Sequence, residues 1–313
     1  MPGTYPPAGP TIDLNTQLMS IHVLLNDPRR VARRLRTIAD QRFVADRILT
    51  QRLRVSGGAI AYETGEPVFN ERDVEAVSPG AEYPRDVVSR GVSNLALVQK
   101  WGQAVPLTDE SIKRMRFGGD ALDRALRKVV ATVVRKIDRL TTAAVASAVT
   151  ATQAAIAPWD NDTNARIFRD IELSGAQIVD TNEGFVPDTI LMSTNNYALM
   201  ITDEKIANLR RREVNANPIY GARITEIGNY MVIDTASANL PTDDVWIFDR
   251  SELGGMADED NNDPGYATSE NGTQVQTERI KKADRWDLWG RRITVPVVLE
   301  PSAGIRITGT AGS

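Results

Sequence analysis

The 313-residue sequence contains no cysteine, a single histidine and only seven lysines. Without cysteine there is no disulfide, no thiolate metal ligand and no cysteine nucleophile, so stability beyond the fold must come from packing or from contacts with other chains. The lone histidine, His22, lies between Ile21 and Val23 in a segment that reads as an arm rather than a pocket, which leaves a Ser/His/Asp relay without a positioned base. No run approaches the roughly 18 consecutive apolar residues of a membrane helix. The opening Met1 to Pro10 is rich in proline and glycine rather than basic and then apolar. Both observations predict a protein that stays off membranes, in the cytoplasm where it is made. Neither GxGxxG nor GxxxxGK[ST] occurs, and the pairs Gly118-Gly119 and Gly254-Gly255 read as turn punctuation. The acidic run from Asp258 to Gly265 lacks the ligand order of a calcium loop and reads as a solvated loop. The expectation is a protein with no catalytic site, no cofactor and no metal.

What is present is the balance of a folded protein, 42% hydrophobic and 25% charged residues with a net charge of −4. Arginine is distributed unevenly. From Asp27-Pro28, a helix-start signal, Val31, Leu35, Ile38, Phe43, Ile48 and Leu49 recur at loosely helical spacings. Around them Arg29, Arg30, Arg33, Arg34, Arg36, Arg42, Arg47, Arg52 and Arg54 face only Asp27, Asp40 and Asp46. A basic run of this kind pairs with acidic residues of a neighbouring subunit or meets nucleic-acid phosphates. No helix-turn-helix, zinc finger or aromatic stacking motif accompanies it, which argues against sequence-specific reading.

The first 26 residues, polar and proline-rich, predict an extended arm. Arg52 to Tyr62 and Pro67 to Val77, flanking the turn-prone Thr64-Gly65-Glu66-Pro67, predict a long two-stranded hairpin that also carries Arg72. Such a pair is marginal alone in water and gains its stability on a neighbour. The run Val87 to Trp101 reads as extended, and Thr108-Asp109-Glu110 starts a short helix to Met115. Leu122, Leu126, Val129, Val133, Ile137 and Leu140 then mark the clearest element, a spine helix over Asp120 to Gln153, with Arg124, Lys128, Arg135 and Arg139 on its solvated face. Pro158-Trp159 and Gly175 are read as ending helical structure. Beyond them the pattern predicts strands at Thr189 to Met192, Arg223 to Ile227, Tyr230 to Ile233 and Val245 to Phe248, and a helix at Asn195 to Leu209. Two last strands, Thr273 to Lys282 and Arg291 to Leu299, precede a small-residue tail.

Several phrases carry a resemblance. Val98-Gln99-Lys100-Trp101-Gly102 leads to Val105-Pro106-Leu107-Thr108-Asp109-Glu110, and Val186-Pro187-Asp188-Thr189-Ile190-Leu191-Met192-Ser193 follows later. Gly228-Asn229-Tyr230-Met231-Val232-Ile233, Asn239-Leu240-Pro241 and Val245-Trp246-Ile247-Phe248-Asp249 come next, and Val295-Pro296-Val297-Val298-Leu299-Glu300-Pro301 runs on to Ile305-Arg306-Ile307-Thr308-Gly309. In order and spacing these resemble the major capsid proteins of tailed bacteriophages. The resemblance implies an α+β chain of the Hong Kong ninety-seven-type capsid fold. Its expected parts are an N-terminal arm and basic helix (1–51), an extended hairpin loop (52–84), a peripheral domain with a long spine helix (85–157 and 274–313) and an axial domain (158–273).

It further implies a chain that assembles into hexamers and pentamers, closing an icosahedral head around double-stranded DNA within the virion. Portal, a possible decoration protein and non-specific DNA contact go with that reading. A separate scaffold protein is expected because barely fifty residues precede the hairpin. The rival with the same fold is an encapsulin-type nanocompartment shell enclosing enzymes, which usually begins directly with a helix. Rivals of other classes are a DNA-binding protein using the arginine helix and an enzyme with a carboxylate site. Some relatives join a hairpin lysine to an asparagine covalently. Here the hairpin has no lysine, the first being Lys100, so the expected subunit contacts are noncovalent.

Overall fold

The computed structural model describes residue 25 and residues 43–70, 72–114, 118–206, 224–259, 265–268 and 272–310. In chain order the elements are α1 (Ala45–Ile48), β1 (Gln51–Val55), β2 (Ala59–Thr64), β3 (Val92–Leu97), β4 (Gln99–Thr108), α2 (Asp109–Arg114) and α3 (Gly118–Ala148). There follow β5 (Thr152–Ala154), α4 (Ile167–Val179), β6 (Thr189–Ser193), α5 (Thr194–Thr202), β7 (Glu226–Ile227), β8 (Tyr230–Thr235) and β9 (Val245–Phe248). The last are β10 (Gly254–Glu259), β11 (Ala267–Thr268), β12 (Thr273–Ile280), β13 (Arg285–Val298) and β14 (Gly304–Thr308). They pack as two units, one holding residues 100–134 and 261–293, the other residues 43–99, 135–260 and 294–313.

In the first unit β12 pairs antiparallel with β13, from Thr273 opposite Arg292 to Ile280 opposite Arg285. The strand predicted from Arg291 therefore begins six residues earlier, because Trp286 and Leu288 supply buried positions that alternate with its polar ones. Gly290 stands where a Cβ would meet the Val129 side chain, a close approach that only glycine permits. Arg279 holds Asp109, at the start of α2, through two bonds of 2.5 and 2.6 Å, and its guanidinium lies 5.7 Å from the Trp286 ring. Leu25 is fully buried, and its carbonyl accepts from the Thr277 hydroxyl at 2.6 Å.

The second unit holds a sheet in the order β5-β14-β9-β6-β8-β7. Its centre is apolar and β-branched: β6 and β9 are buried at every position, as strands covered on both faces must be. α4 packs against it through Ile167, Ile171 and Ile178. α5 starts on Ser193, whose hydroxyl accepts from Asn196 N at 3.1 Å as an N-cap. In the same unit β1 runs parallel to β10, and β10 antiparallel to Thr294–Val298 of β13. A two-stranded ribbon, β2 antiparallel to β3, completes it.

Several expectations are corrected. The second strand of the hairpin is not Pro67 to Val77 but Val92–Leu97, with Ala59 opposite Leu97 and Thr64 opposite Val92. Pro67, Pro79 and Pro84 deny the intervening loop its ladder donors, and no strand forms among the described residues of 65–91. The first strand is also interrupted: Ser56-Gly57-Gly58, with Gly57 and Gly58 at φ of 95° and 79°, turns the chain so that β1 joins β10 while β2 joins β3. The spine helix ends at Ala148, not Gln153, because Thr152–Ala154 pairs with β14 instead. Gly175 does not end a helix. It lies inside α4, where a Cβ would run into the Tyr230 hydroxyl. Gly254-Gly255 are strand rather than turn, with the space for a Cβ at Gly255 taken by Gln51 O, 2.5 Å away. The helix predicted at Asn195 to Leu209 covers Thr194–Thr202, its remainder reaching residues outside those described. Near the end of the chain Gly304–Thr308 pairs with β9 and β5, and Gly254–Glu259 pairs with β1 and β13.

Candidate functional site

The ten arginines marked in the sequence do not form one continuous surface. Arg29, Arg30, Arg33, Arg34, Arg36 and Arg42 lie outside the described residues, as does His22. Arg47 is exposed on α1, with Nη2 at 4.0 Å from the Met231 sulfur. Arg52 is engaged within its own chain, bridging Asp46 at 3.1 Å and Asp258 at 3.2 Å. Arg54, two residues along the same strand and hence on the same face, is exposed. Arg72 belongs to the long loop, where it holds Glu75 through Nε and Nη2 at 3.1 and 2.8 Å.

Among the described residues most of the exposed large hydrophobic side chains lie on the ribbon and its loop. At its root Ile60, Tyr62, Ala96 and Val98 pack against Val55, Ala257 and Val297. The loop between its strands exposes Val68, Phe69, Val74, Tyr83, Val87 and Val88. Leu95 and Leu97 on β3 are 68% and 65% exposed. Exposed apolar side chains gathered on one segment mark an interaction surface. Sequence reading located it but mispaired its strands.

A second feature was not seen in the sequence. A cleft of about 810 Å³ is lined by the carboxylates of Glu66, Glu183, Asp188, Asp249, Glu252 and Glu300. Asp188 is neutralised by Arg250 at 2.8 Å, and Glu183 accepts from the Ser302 hydroxyl at 2.7 Å. The Glu300 carboxyl is pushed above the usual carboxylate range by burial and by the charges of Glu183, Glu66 and Glu252. Burial acts on Asp249 the same way, but hydrogen bonds from Ser251, Val186 and Glu252 outweigh it and hold that carboxyl low. These carboxylates come from four separate stretches of chain, so no local spacing announces them. Among the described residues no three His, Asp or Glu side chains are arranged to hold a metal ion, and no helix is long and apolar enough to cross a membrane.

A family model described as phage capsid protein matches residues 92–307. A comparison with curated proteins gives no match. Among solved structures the chain is similar to one from Microbacterium phage Oxtober96, at 14% identity, with 85% of this chain and 90% of that one covered and a TM-score of 0.58. It is similar to a virus-like particle from Pyrococcus furiosus at 11% identity, covering 89% and 97%, with a TM-score of 0.56. The mature capsid of bacteriophage PhiM1 matches at 11% identity, covering 82% and 84%, with a TM-score of 0.55. At such identities the structural likeness shows the fold, the α+β capsid architecture inferred from the sequence. The family match favours the phage shell over a nanocompartment, and the role is structural rather than enzymatic. Matched over more than half its length, the chain belongs to the phage capsid protein family, as a major capsid protein that assembles with copies of itself into the shell of a virion.

Proposed function

We propose that the shell is an icosahedral head built of hexamers and pentamers, assembled in the cytoplasm of a host bacterium and filled with double-stranded DNA. The observation carrying this reading is the ribbon with its loop, whose outer part leaves large apolar side chains exposed along the chain from Val68 to Leu97. Burying them on a neighbouring subunit removes that surface from water, and each well-buried side chain of this size contributes about 1.5–3 kcal/mol. The basic segment of Arg29, Arg30, Arg33, Arg34, Arg36 and Arg42, with exposed Arg47 and Arg54, supplies the charged part of the same contacts. A separate scaffold protein, a portal and a decoration protein are the further partners in this reading, and DNA contact is non-specific.

Mass measurement and electron microscopy of the purified particle test it. A closed shell of hundreds of subunits carrying DNA is the expected result. A monomer or dimer would sink the assembly, and a shell holding enzymes in place of DNA would make it a nanocompartment.

A further inference from the structure

We infer that the solvent face of α3 is the surface on which the shell meets the phosphates of packaged DNA, an inference that rests on the shell reading above and adds a location to it. Between Arg124 and Arg139 the exposed positions are Arg124, Arg127, Lys128, Ala131, Thr132, Arg135, Lys136 and Arg139. Six of these eight are cationic and none is a carboxylate. The opposite face carries Leu126, Val129, Val133 and Ile137, all buried, and the one acid of this stretch, Asp138, is buried with them. In a chain of net charge −4, cations gathered on one helix face with the acids kept elsewhere give that face a positive potential. Among the described residues no ion pair is made by Arg124, Arg127, Lys128, Arg135 or Arg139.

The chemistry of the face selects nucleic acid over protein. From Arg124 to Arg139 it runs about 22 Å, which at one charge per about 1.7 Å of duplex corresponds to about a dozen phosphates. A protein interface needs apolar anchors at its centre. None of the large exposed hydrophobic side chains lies on the described part of α3 from Arg124 onward, and the middle of the face holds only Ala131 and Thr132, small enough to admit a phosphate backbone closely. The Thr132 hydroxyl donates back to Lys128 O at 2.9 Å, and no exposed Asn or Gln lies between Arg124 and Arg139 to read a base edge. Binding is therefore indifferent to sequence.

The test is the salt dependence of binding of the full-length purified protein to two 30-base-pair duplexes of unrelated sequence, read by fluorescence anisotropy. The R127Q/K128Q/R135Q variant is compared with wild type and with R166Q/R169Q, which removes exposed cations at the N-terminal end of α4. Removing three phosphate contacts lowers the slope of log K against log salt by about 2.7, equally on both duplexes, while the α4 variant keeps the wild-type slope. Shells of the triple variant, viewed by electron microscopy, keep their normal size. An unchanged slope, or a loss confined to one duplex, overturns the inference. So does a triple variant that binds DNA like wild type but fails to form shells, which would make the face a protein contact. Wild-type protein that forms no shell under any condition would instead strike at the shell reading, whatever the slopes.

Discussion

Asp249 and Glu300 line one cleft, and their surroundings push the two carboxyls in opposite directions. Both are raised by burial. Asp249 is then brought below the usual range by its hydrogen bonds, from Ser251 Oγ at 2.6 Å and from Val186 N and Ser251 N at 2.9 Å among them. Glu300 has one backbone bond, from Glu66, against three neighbouring negative charges. A lowered folded-state pKa stabilises above the unfolded value and loses that contribution as pH falls through the folded one; a raised pKa stabilises at low pH and loses it as pH rises. D249N should therefore lower the melting temperature of the unassembled subunit at neutral pH, by the equivalent of about 1–3 kcal/mol, and flatten its acid limb. E300Q should raise it at neutral pH, by less than about 1 kcal/mol, with little effect near pH 4. Melting curves over that range decide it, and equal signs for the two variants would be wrong for this mechanism.

The clamp between Arg279 and Asp109 predicts a chemical asymmetry. Two parallel bonds and a neighbouring indole suit a planar guanidinium, whereas a lysine ammonium can offer neither the fork nor the stack. R279K should destabilise the subunit by about 1–2 kcal/mol although charge is conserved. In a double-mutant cycle with D109N, the combined loss should fall short of the sum of the two single losses. Strict additivity would show that the pair is not coupled.

Inside α4, Gly175 and Tyr230 set two effects against each other. Alanine is favoured over glycine within a helix by about 1 kcal/mol. Here, however, the added Cβ would also stand 2.9 Å from Tyr230 Cζ, nearer still to the hydroxyl, on a buried and well-packed side chain. Overpacking of that kind costs about 1–3 kcal/mol, so G175A should be destabilising on balance. Removing the hydroxyl in G175A/Y230F should recover part of the loss. A G175A protein that melts higher than wild type would show that the tyrosine yields freely.

What the sequence disclosed follows from the range of the interactions involved. α3 was legible because Leu126, Val129, Val133 and Ile137 recur at helical spacing with cations between them, and β9 because Val245–Phe248 is an unbroken apolar run. Pairing partners were not. β2 finds β3 across a loop of 27 residues, from Gly65 to Gly91, and β1 finds β10 about 200 residues away; no local pattern encodes either. Glycine misled twice, at Gly175 and Gly255, because its signal is the same whether the chain turns or another atom comes close. The acidic cleft, assembled from distant segments, had no sequence signal at all, while the cationic face of α3 was partly visible as Arg124, Lys128, Arg135 and Arg139 and lacked only Arg127 and Lys136.

The last prediction concerns covalent reinforcement. An amide cross-link between subunits needs an amine that can lose its proton and attack a carboxamide; an arginine guanidinium stays protonated and does not substitute. The ribbon β2–β3 and the loop between its strands contain Arg72, Arg85 and Arg90 but no lysine, and the chain has no cysteine for the alternative link. Lys100 comes only after the ribbon, in β4. Contacts made by this segment are then noncovalent, held by the burial of side chains such as Leu95 and Leu97 and by ion pairs. Mature particles boiled in detergent and run on a denaturing gel should give a single band near 34.4 kDa. A ladder of multiples that persists after boiling would sink the noncovalent shell, and its mass-spectrometric cross-link would have to begin at one of the seven lysines outside the ribbon.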